Sequence, residues 1–484
     1  MSARIDAEKA SGATSGPAAA TEQFEVTRNA CVVCSPLGAT IVFAGIERGM
    51  TLLHGSQGCA TYIRRYTISH FREPLDVASS SFTEESAVFG GAANLRIALA
   101  NVVKEYKPAL VGVATTCLAE TIGEDAAAVR RALGLVDGKS AEFGAAVGNG
   151  ADAPLIVAVS TPSYRGSHRE GFRAALRALA EATNPRINKS PPGAEFGKAL
   201  FSSFSAEPDS ASFLSVPAIA VFTAMISPTD IRGIKADIAA FNLDAIFATD
   251  YSDTLDGGPW KAHRLLPEGG TPVASLRLMR HAAASLEFGA TLSPELSAAA
   301  YLEEAHGVPR RAFSLPVGIQ ATDAFMDALA EISGKPMPRS IEAERARLLD
   351  SLVDGHKYVF GKRALLYGDP DFSEALAAFL REIGMIPLFP EGEGRDFAQA
   401  EAAARASAAN GESIDLVIGN SKGYKTAKKL DVPLVRVGFP VHDRFGGQRL
   451  RTLGYGGSQE LFDRIVNALI ERRQEDSYVG YTYY

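Results

Sequence analysis

Short apolar runs alternate along this chain with longer segments in which apolar positions recur every three or four residues. Ala109–Ala114, Leu155–Val159, Ala218–Thr223, Arg363–Tyr367 and Leu416–Gly419 are such runs, most of them rich in Val, Ile and Leu and bounded by turn residues. Thr40–Ala44, Ala245–Thr249, Ala312–Pro316, Ile386–Phe389 and Leu434–Val437 read the same way. Continuous apolar runs of this length predict strands covered on both faces. Between them Asn94–Glu105, Glu124–Leu133, Arg169–Glu181, Asp323–Ile332 and Asp371–Ile383 carry the helical period. Buried strands separated by amphipathic helices predict an α/β chain of doubly wound, Rossmann-like units with mostly parallel sheets.

Breaks in the pattern divide the chain. Residues 1–22 are rich in Ala, Ser, Gly and Thr with no apolar run, which predicts a disordered N-terminal extension rather than a signal peptide. Three α/β domains are expected at 23–190, 200–340 and 345–470. Pro185–Lys198 reads as a linker and Ser340–Val353 as a helix leading into the last domain. Residues 471–484, with four tyrosines in the last seven, read as a C-terminal arm that packs on a partner.

Composition narrows the class. A chain of 484 residues, 46% hydrophobic and 22% charged, has material for several cores and the balance of a soluble globular protein. Its formal charge of −7 offers no basic surface for nucleic acid. No stretch reaches the roughly 18 apolar residues of a membrane span. Four cysteines are too few for a disulfide scaffold and suit a reducing cytoplasm.

The chemistry concentrates in the first quarter, where all four cysteines lie: Cys31, Cys34, Cys59 and Cys117. Each is beside turn chemistry, in Cys34-Ser-Pro-Leu-Gly, in His54-Gly-Ser-Gln-Gly-Cys59 and in Thr115-Thr-Cys117. Cys31 and Cys34 form a C-x-x-C pair compatible with half a zinc site, a redox pair or iron–sulfur ligation. The chain has no second pair to complete a zinc site. Cys117 ends a predicted strand at the carboxyl edge where α/β proteins bind ligands, and Cys59 follows Gly58, which lets a cofactor approach closely. Three or four soft ligands without a self-contained ferredoxin spacing imply an iron–sulfur cluster shared with another polypeptide.

Other segments are weighed against simpler roles. His54 reads as a hydrogen-bonded turn residue, and Arg64, Arg65 and Arg72 with Tyr62 and Tyr66 as a solvated face or an anionic contact. Glu73 reads as a salt-bridge partner of Arg72. The Ser/Thr-Glu run at 79–86 opens a helix by capping. Ser163 lies just past a predicted strand, where its hydroxyl either caps a turn or reaches a cluster. The chain has no P-loop and no dinucleotide fingerprint. Gly419-Asn-Ser-Lys-Gly423 matches a nucleophile elbow in letters, with His442 the only downstream histidine, but no acid is placed to orient it.

Cys34-Ser-Pro-Leu-Gly-Ala39, His54-Gly-Ser-Gln-Gly-Cys59, His70-Phe-Arg-Glu-Pro74, Ala87-Val-Phe-Gly-Gly91 and Thr115-Thr-Cys117 together resemble the β-type subunits of nitrogenase component 1. Thr161-Pro-Ser-Tyr-Arg-Gly-Ser-His168, Ile418-Gly-Asn-Ser421 and Gly438-Phe-Pro-Val-His-Asp-Arg444 extend the resemblance to about residues 27–470. It implies three α/β domains and an α2β2 heterotetramer with a homologous α-type subunit that holds the catalytic metal cofactor. It also implies an iron–sulfur P-cluster (8Fe–7S, alternatively a simpler 4Fe–4S) between the subunits, supplied with electrons by an ATP-dependent iron protein. Cys34, Cys59 and Cys117 are then the cluster ligands of this chain, Ser163 a weaker candidate, and no catalytic residue is implied here. Cys31 departs from the molybdenum β pattern, either as an alternative ligand or as a neighbouring thiol. Asn29-Ala-Cys-Val-Val-Cys34 and Tyr62-Ile-Arg-Arg-Tyr-Thr-Ile-Ser-His70 look more like cofactor-assembly scaffolds and nitrogenase-like reductases. The retained cysteines favour a reductase similar to the methylthio-alkane reductases. The alternatives are an assembly scaffold or the β subunit of a vanadium or iron-only nitrogenase.

Overall fold

The structure is a computed structural model that describes residues 30–133, 153–186, 218–262, 264–289, 291, 293–390 and 396–479. The predicted N-terminal extension, most of the linker and the last five residues lie outside these. Twelve strands form three parallel sheets of four. The first contains β1 (Gly49–His54), β2 (Val77–Ser79), β3 (Leu110–Thr115) and β4 (Leu155–Val159). The second contains β5 (Ala218–Phe222), β6 (Asp244–Phe247), β7 (Ala284–Phe288) and β8 (Arg310–Phe313). The third contains β9 (Arg363–Leu366), β10 (Ile386–Leu388), β11 (Leu416–Gly419) and β12 (Leu434–Arg436). Each sheet has the same order, with its first two strands reversed: β2-β1-β3-β4, β6-β5-β7-β8 and β10-β9-β11-β12. The α/β expectation holds, three times over.

The order matters because it creates a switch point between the first and third strand of each unit. Crossovers on the two sides of that point leave in opposite directions and open a crevice at the carboxyl edge. In the first sheet the crevice lies between β1 and β3, whose registers align His54 with Thr115.

One predicted strand is a helix. Thr40–Ala44 belongs to the helix Ser35–Ala44, all ten residues of which are buried. Such a helix lacks the polar face that reveals the helical period, so its apolar run reads like a covered strand. The true first strand, Gly49–His54, and Ala284–Phe288 escape the pattern because Thr, His, Ser and Glu interrupt their apolar runs. The C-terminal helix runs from Gly454 to Glu475 and so continues past the expected boundary at residue 470.

A buried ionic knot joins the three units. Arg173, on the helix His168–Thr183, donates to the carbonyls of Thr223 and Phe288 in the second unit and to Asp371 in the third. Asp371 also accepts from Arg169 Nε at 3.1 Å and from Thr291 N at 3.1 Å.

Candidate functional site

The candidate ligands follow the strand ends of the first sheet. β1 leads through His54 and Gly55 into the helix Gln57–Phe71, which carries Cys59 in its first turn. β3 leads through Thr116 into the helix Cys117–Thr121, whose first residue is Cys117. The two turns are joined, because Thr116 N donates to His54 O at 3.1 Å. β4 leads to Ser163, and Cys34 is the N-cap of the helix Ser35–Ala44. An antiparallel bridge between Cys34 and Ser167 brings that cap to the same edge.

Ser163 stands between two of these segments. Its N–H donates to Cys117 Sγ at 3.2 Å, and its Oγ accepts from Ser35 N at 3.1 Å. Tyr62, one helical turn after Cys59, neighbours Cys34, and burial, with the Cys34 charge next, pushes its phenol well above the ordinary tyrosine range. Ser56 Oγ lies 3.6 Å from Cys59 Sγ. All three thiols are half-buried, each is at the start of a helix, and helix starts favour negative charge.

Cys31 is elsewhere. Its side chain is fully buried in the core of the third unit, with Leu365, Tyr367, Phe397 and Val417. Burial raises its thiol far above the ordinary range, with the Asp396 charge acting in the same direction. The C-x-x-C spacing therefore does not bring two thiols to one place. The chain bends at Cys31 and Val32, so the Cys31 side chain enters the core of one unit while Cys34 reaches the edge of another.

The remaining residues singled out in the sequence have structural partners. His54 is buried, with Nδ1 3.1 Å from Ser80 Oγ and Nε2 2.6 Å from Glu124, and burial lowers its affinity for a proton. Glu124 also accepts from Gly91 N at 2.6 Å, which ties the C-terminal end of the helix Glu84–Phe89, where Val88 and Phe89 lie, to the end of β1. Arg64 pairs with Asp76, and Arg65 lies on the exposed face of its helix. No ion pair of Glu73 with Arg72 is found among the described residues; burial, with the Asp256 charge next, raises its carboxyl. Thr83 caps the helix Glu84–Phe89 through Ser86 N. In the nucleophile-elbow string, Ser421 Oγ bonds Asp443, which Arg436 grips with two nitrogens, and it accepts from the backbone N of His442. Among the described residues no imidazole is bonded to its hydroxyl. That arrangement is a turn, not a triad.

Tyr62, which the sequence offered only as part of a solvated or anion-contacting face, neighbours Cys34 in the fold, and Lys422 had no signal of its own. Lys422 reaches Ala30 O and Val32 O from 390 positions or more along the chain.

The donor set fits an iron–sulfur group: three soft thiols, a hydroxyl, and N–H and O–H donors aimed at the sulfurs. Among the described residues no group of three or more His, Cys, Asp or Glu could by itself hold a metal ion.

Comparison with known proteins decides the family. Residues 34–470 match the family model described as nitrogenase component 1 type oxidoreductase. The chain belongs to that family. It is 33% identical over 481 residues to the nitrogenase molybdenum-iron protein beta chain of Methanococcus maripaludis, covering 94% of this chain and 97% of that one. The corresponding beta chain of Clostridium pasteurianum is 32% identical over 485 residues, covering 95% and 97%. A solved structure titled nitrogenase Cp1 at pH 6.5 superposes with a TM-score of 0.79 at 29% identity, covering 96% of this chain and 98% of that one. The three parallel sheets are those of the nitrogenase component 1 fold, and the protein is a beta-chain-like oxidoreductase subunit of this family. No helix among the described residues is long and apolar enough to cross a membrane.

Proposed function

We propose that this chain is the β-type subunit of a nitrogenase-like reductase and contributes Cys34, Cys59 and Cys117 to a P-cluster-type group shared with an α-type partner. The observation that carries this reading is the convergence of three helix starts bearing thiols on one sheet edge, with Ser163 between two of them. When bound, the cluster supplies one-electron storage between an ATP-dependent iron protein and the metal cofactor of the α-type subunit. The residues of this chain hold it, donate hydrogen bonds to its sulfurs and limit its exposure, all of which tune such a group. Ser163 is positioned to add an oxygen ligand. Cys31 serves as an apolar anchor, not a ligand.

An apolar surface supports a docking role on the same unit. Val88 and Phe89 are 74% and 84% exposed, and the Gly91–Glu124–His54 bonds link their helix end to the segment that leads into Cys59. Exposed apolar patches of this kind mark protein contacts.

For the reaction, we infer reductive C–S cleavage of methylthio-alkanes, supported by the likeness of Asn29–Cys34 and Tyr62–His70 to nitrogenase-like reductases. Dinitrogen reduction is the second reading, favoured by relatives named as molybdenum-iron protein beta chains. A cofactor-assembly scaffold is the third. The test is anaerobic co-purification with native partners, iron quantification, and reduction assays on a methylthio-alkane and on dinitrogen. Thiol or alkane release with P-cluster-level iron supports the first reading. Ammonia formation selects the second, and iron for a single cubane without turnover selects the scaffold. An iron-free, colourless complex overturns all three.

A further inference from the structure

The segment 30–35 is held by two different units, and the handover falls just before Cys34. On the third unit, Ala30 pairs with Asp396 in an antiparallel bridge. Asn420 Nδ2 donates to Cys31 O at 2.8 Å, and the Cys31 side chain fills the core beneath. Lys422 Nζ donates to Ala30 O at 3.2 Å and to Val32 O at 3.0 Å. On the first unit, His168 N donates to Val33 O at 2.9 Å, Cys34 bridges Ser167, and Ser163 Oγ takes the Ser35 N–H. A strap of six residues thus crosses from one unit to the other.

Lys422 is central to this strap. Its ammonium lies 5.6 Å from the centre of the Tyr66 ring, which meets the Tyr62 ring in a tilted contact at 4.6 Å, and Tyr62 in turn neighbours Cys34. The Val32 carbonyl that it holds is two residues before Cys34, which sets the ammonium at the Cys34 end of the strap. No carboxylate is bonded to Lys422 among the described residues; its two hydrogen bonds go to carbonyls. A half-buried ammonium with carbonyl partners keeps most of its charge uncompensated locally.

We propose that Lys422 is a positioning residue for Cys34, pinning the strap on both sides of Cys31 and placing a fixed positive charge beside the thiol that follows. The proposal rests on the reading of Cys34 as a cluster ligand. A positive charge near a redox group stabilises its reduced, more negative state and raises its potential. Cys34 would thereby be placed and tuned from a different unit than the one carrying Cys59 and Cys117.

The test uses the complete anaerobic complex with two readouts, hydrogen exchange of the strap amides and potentiometric titration of the cluster. Lys422→Met should speed exchange in 31–34 tenfold or more. It should also move the midpoint to more negative potential by about tenfold in the reduction equilibrium, or about 59 mV for a one-electron couple. Lys422→Arg, which keeps the charge and can reach the same carbonyls, should restore the potential. Asn420→Ala should speed exchange while leaving the potential in place. Unchanged strap exchange and unchanged potential in Lys422→Met would overturn the proposal, as would a potential shift that Lys422→Arg fails to restore. A wild-type complex without iron would instead overturn the cluster reading, while strap exchange still decides the positioning role.

Discussion

The backbone N–H of Ser163 donates to the sulfur of Cys117 at 3.2 Å. The same residue takes the Ser35 N–H on its Oγ, so one turn registers the Cys117 and Cys34 helices against each other. Ser163→Ala removes only the second of these contacts. Loss of a cap of this kind costs about 1 kcal/mol, to be read from denaturant unfolding. The variant should retain its iron and its reduced-state spectrum, because the Cys117 contact is made by the backbone. On the proposed reading, in which the Ser163 hydroxyl is a candidate oxygen ligand, its oxidised-state spectrum should change. An identical oxidised-state spectrum would remove Ser163 from the ligand set.

Cys59 and Cys31 should respond in opposite ways. Cys59→Ala takes a thiol from the sheet edge and should lose most cluster iron with little change in the stability of the fold, since Cys59 is only half-buried. Cys31→Ala leaves a small void among Tyr367, Phe397 and Val417 and should cost about 1 kcal/mol with iron content intact. Iron analysis and unfolding of both variants separate ligand from anchor. Iron loss in Cys31→Ala beyond the wild-type value would restore it as a candidate ligand.

The fold class was legible because strands such as Leu110–Thr115 and Leu416–Gly419 are buried on both faces and show it as unbroken apolar runs. The helix Ser35–Ala44 was not, for the same reason: complete burial erases the period that separates helix from strand. The three edge thiols were legible from turn chemistry, since glycine and serine mark the turn from β1 to Cys59, Thr115-Thr116 leads β3 into Cys117, and Ser-Pro after Cys34 marks a helix start. Cys31 was not, because spacing along the chain says nothing about a strap whose two halves are held by different units. The same limit hid Lys422, whose partners are 390 and 392 positions away. Sequence patterns report local periodicity, and these relationships are tertiary.

Two buried histidines should make the molecule acid-labile. His70 accepts from Val441 N at 2.9 Å and is lowered to about 3, and His168 is lowered to about 4; burial is the main cause for both. Both rings pack on Phe439. The unfolded chain protonates near pH 6.5 while the native rings stay neutral, so the unfolded state binds more protons as the pH falls. Stability should be full above about pH 6.5 and decline by up to about 1.4 kcal/mol per pH unit for each ring, levelling off below about 3 to 4. Denaturant midpoints measured across this range test the slope. The His70→Gln/His168→Gln pair should flatten it, and an unchanged slope in that variant would assign the acid sensitivity to other groups.

Asp371 gives the sharpest prediction about the whole assembly of units. Its carboxylate is buried, and despite the opposing effect of burial the Arg173 and Arg169 charges hold it down to about 2. Asp371→Asn leaves the buried Arg173 without its paired carboxylate, while Arg169 keeps Glu170 at 2.9 Å. Breaking a buried pair in this way costs about 3–5 kcal/mol, more than any single apolar truncation proposed above. A control separates charge from packing: Arg173→Met on the Asp371→Asn background removes one stranded cation, so the double variant should be less destabilised than the sum of the singles. Additive losses would mean that the two residues act independently. The consequences should also reach the sheet edge, because Arg169 and Arg173 lie on the helix His168–Thr183, whose capping residue Ser167 bridges Cys34. Asp371→Asn should therefore release cluster iron to a chelator faster than the wild type does, at a pH where both remain folded. Equal release rates would show that the knot fixes the three units without setting the geometry of Cys34.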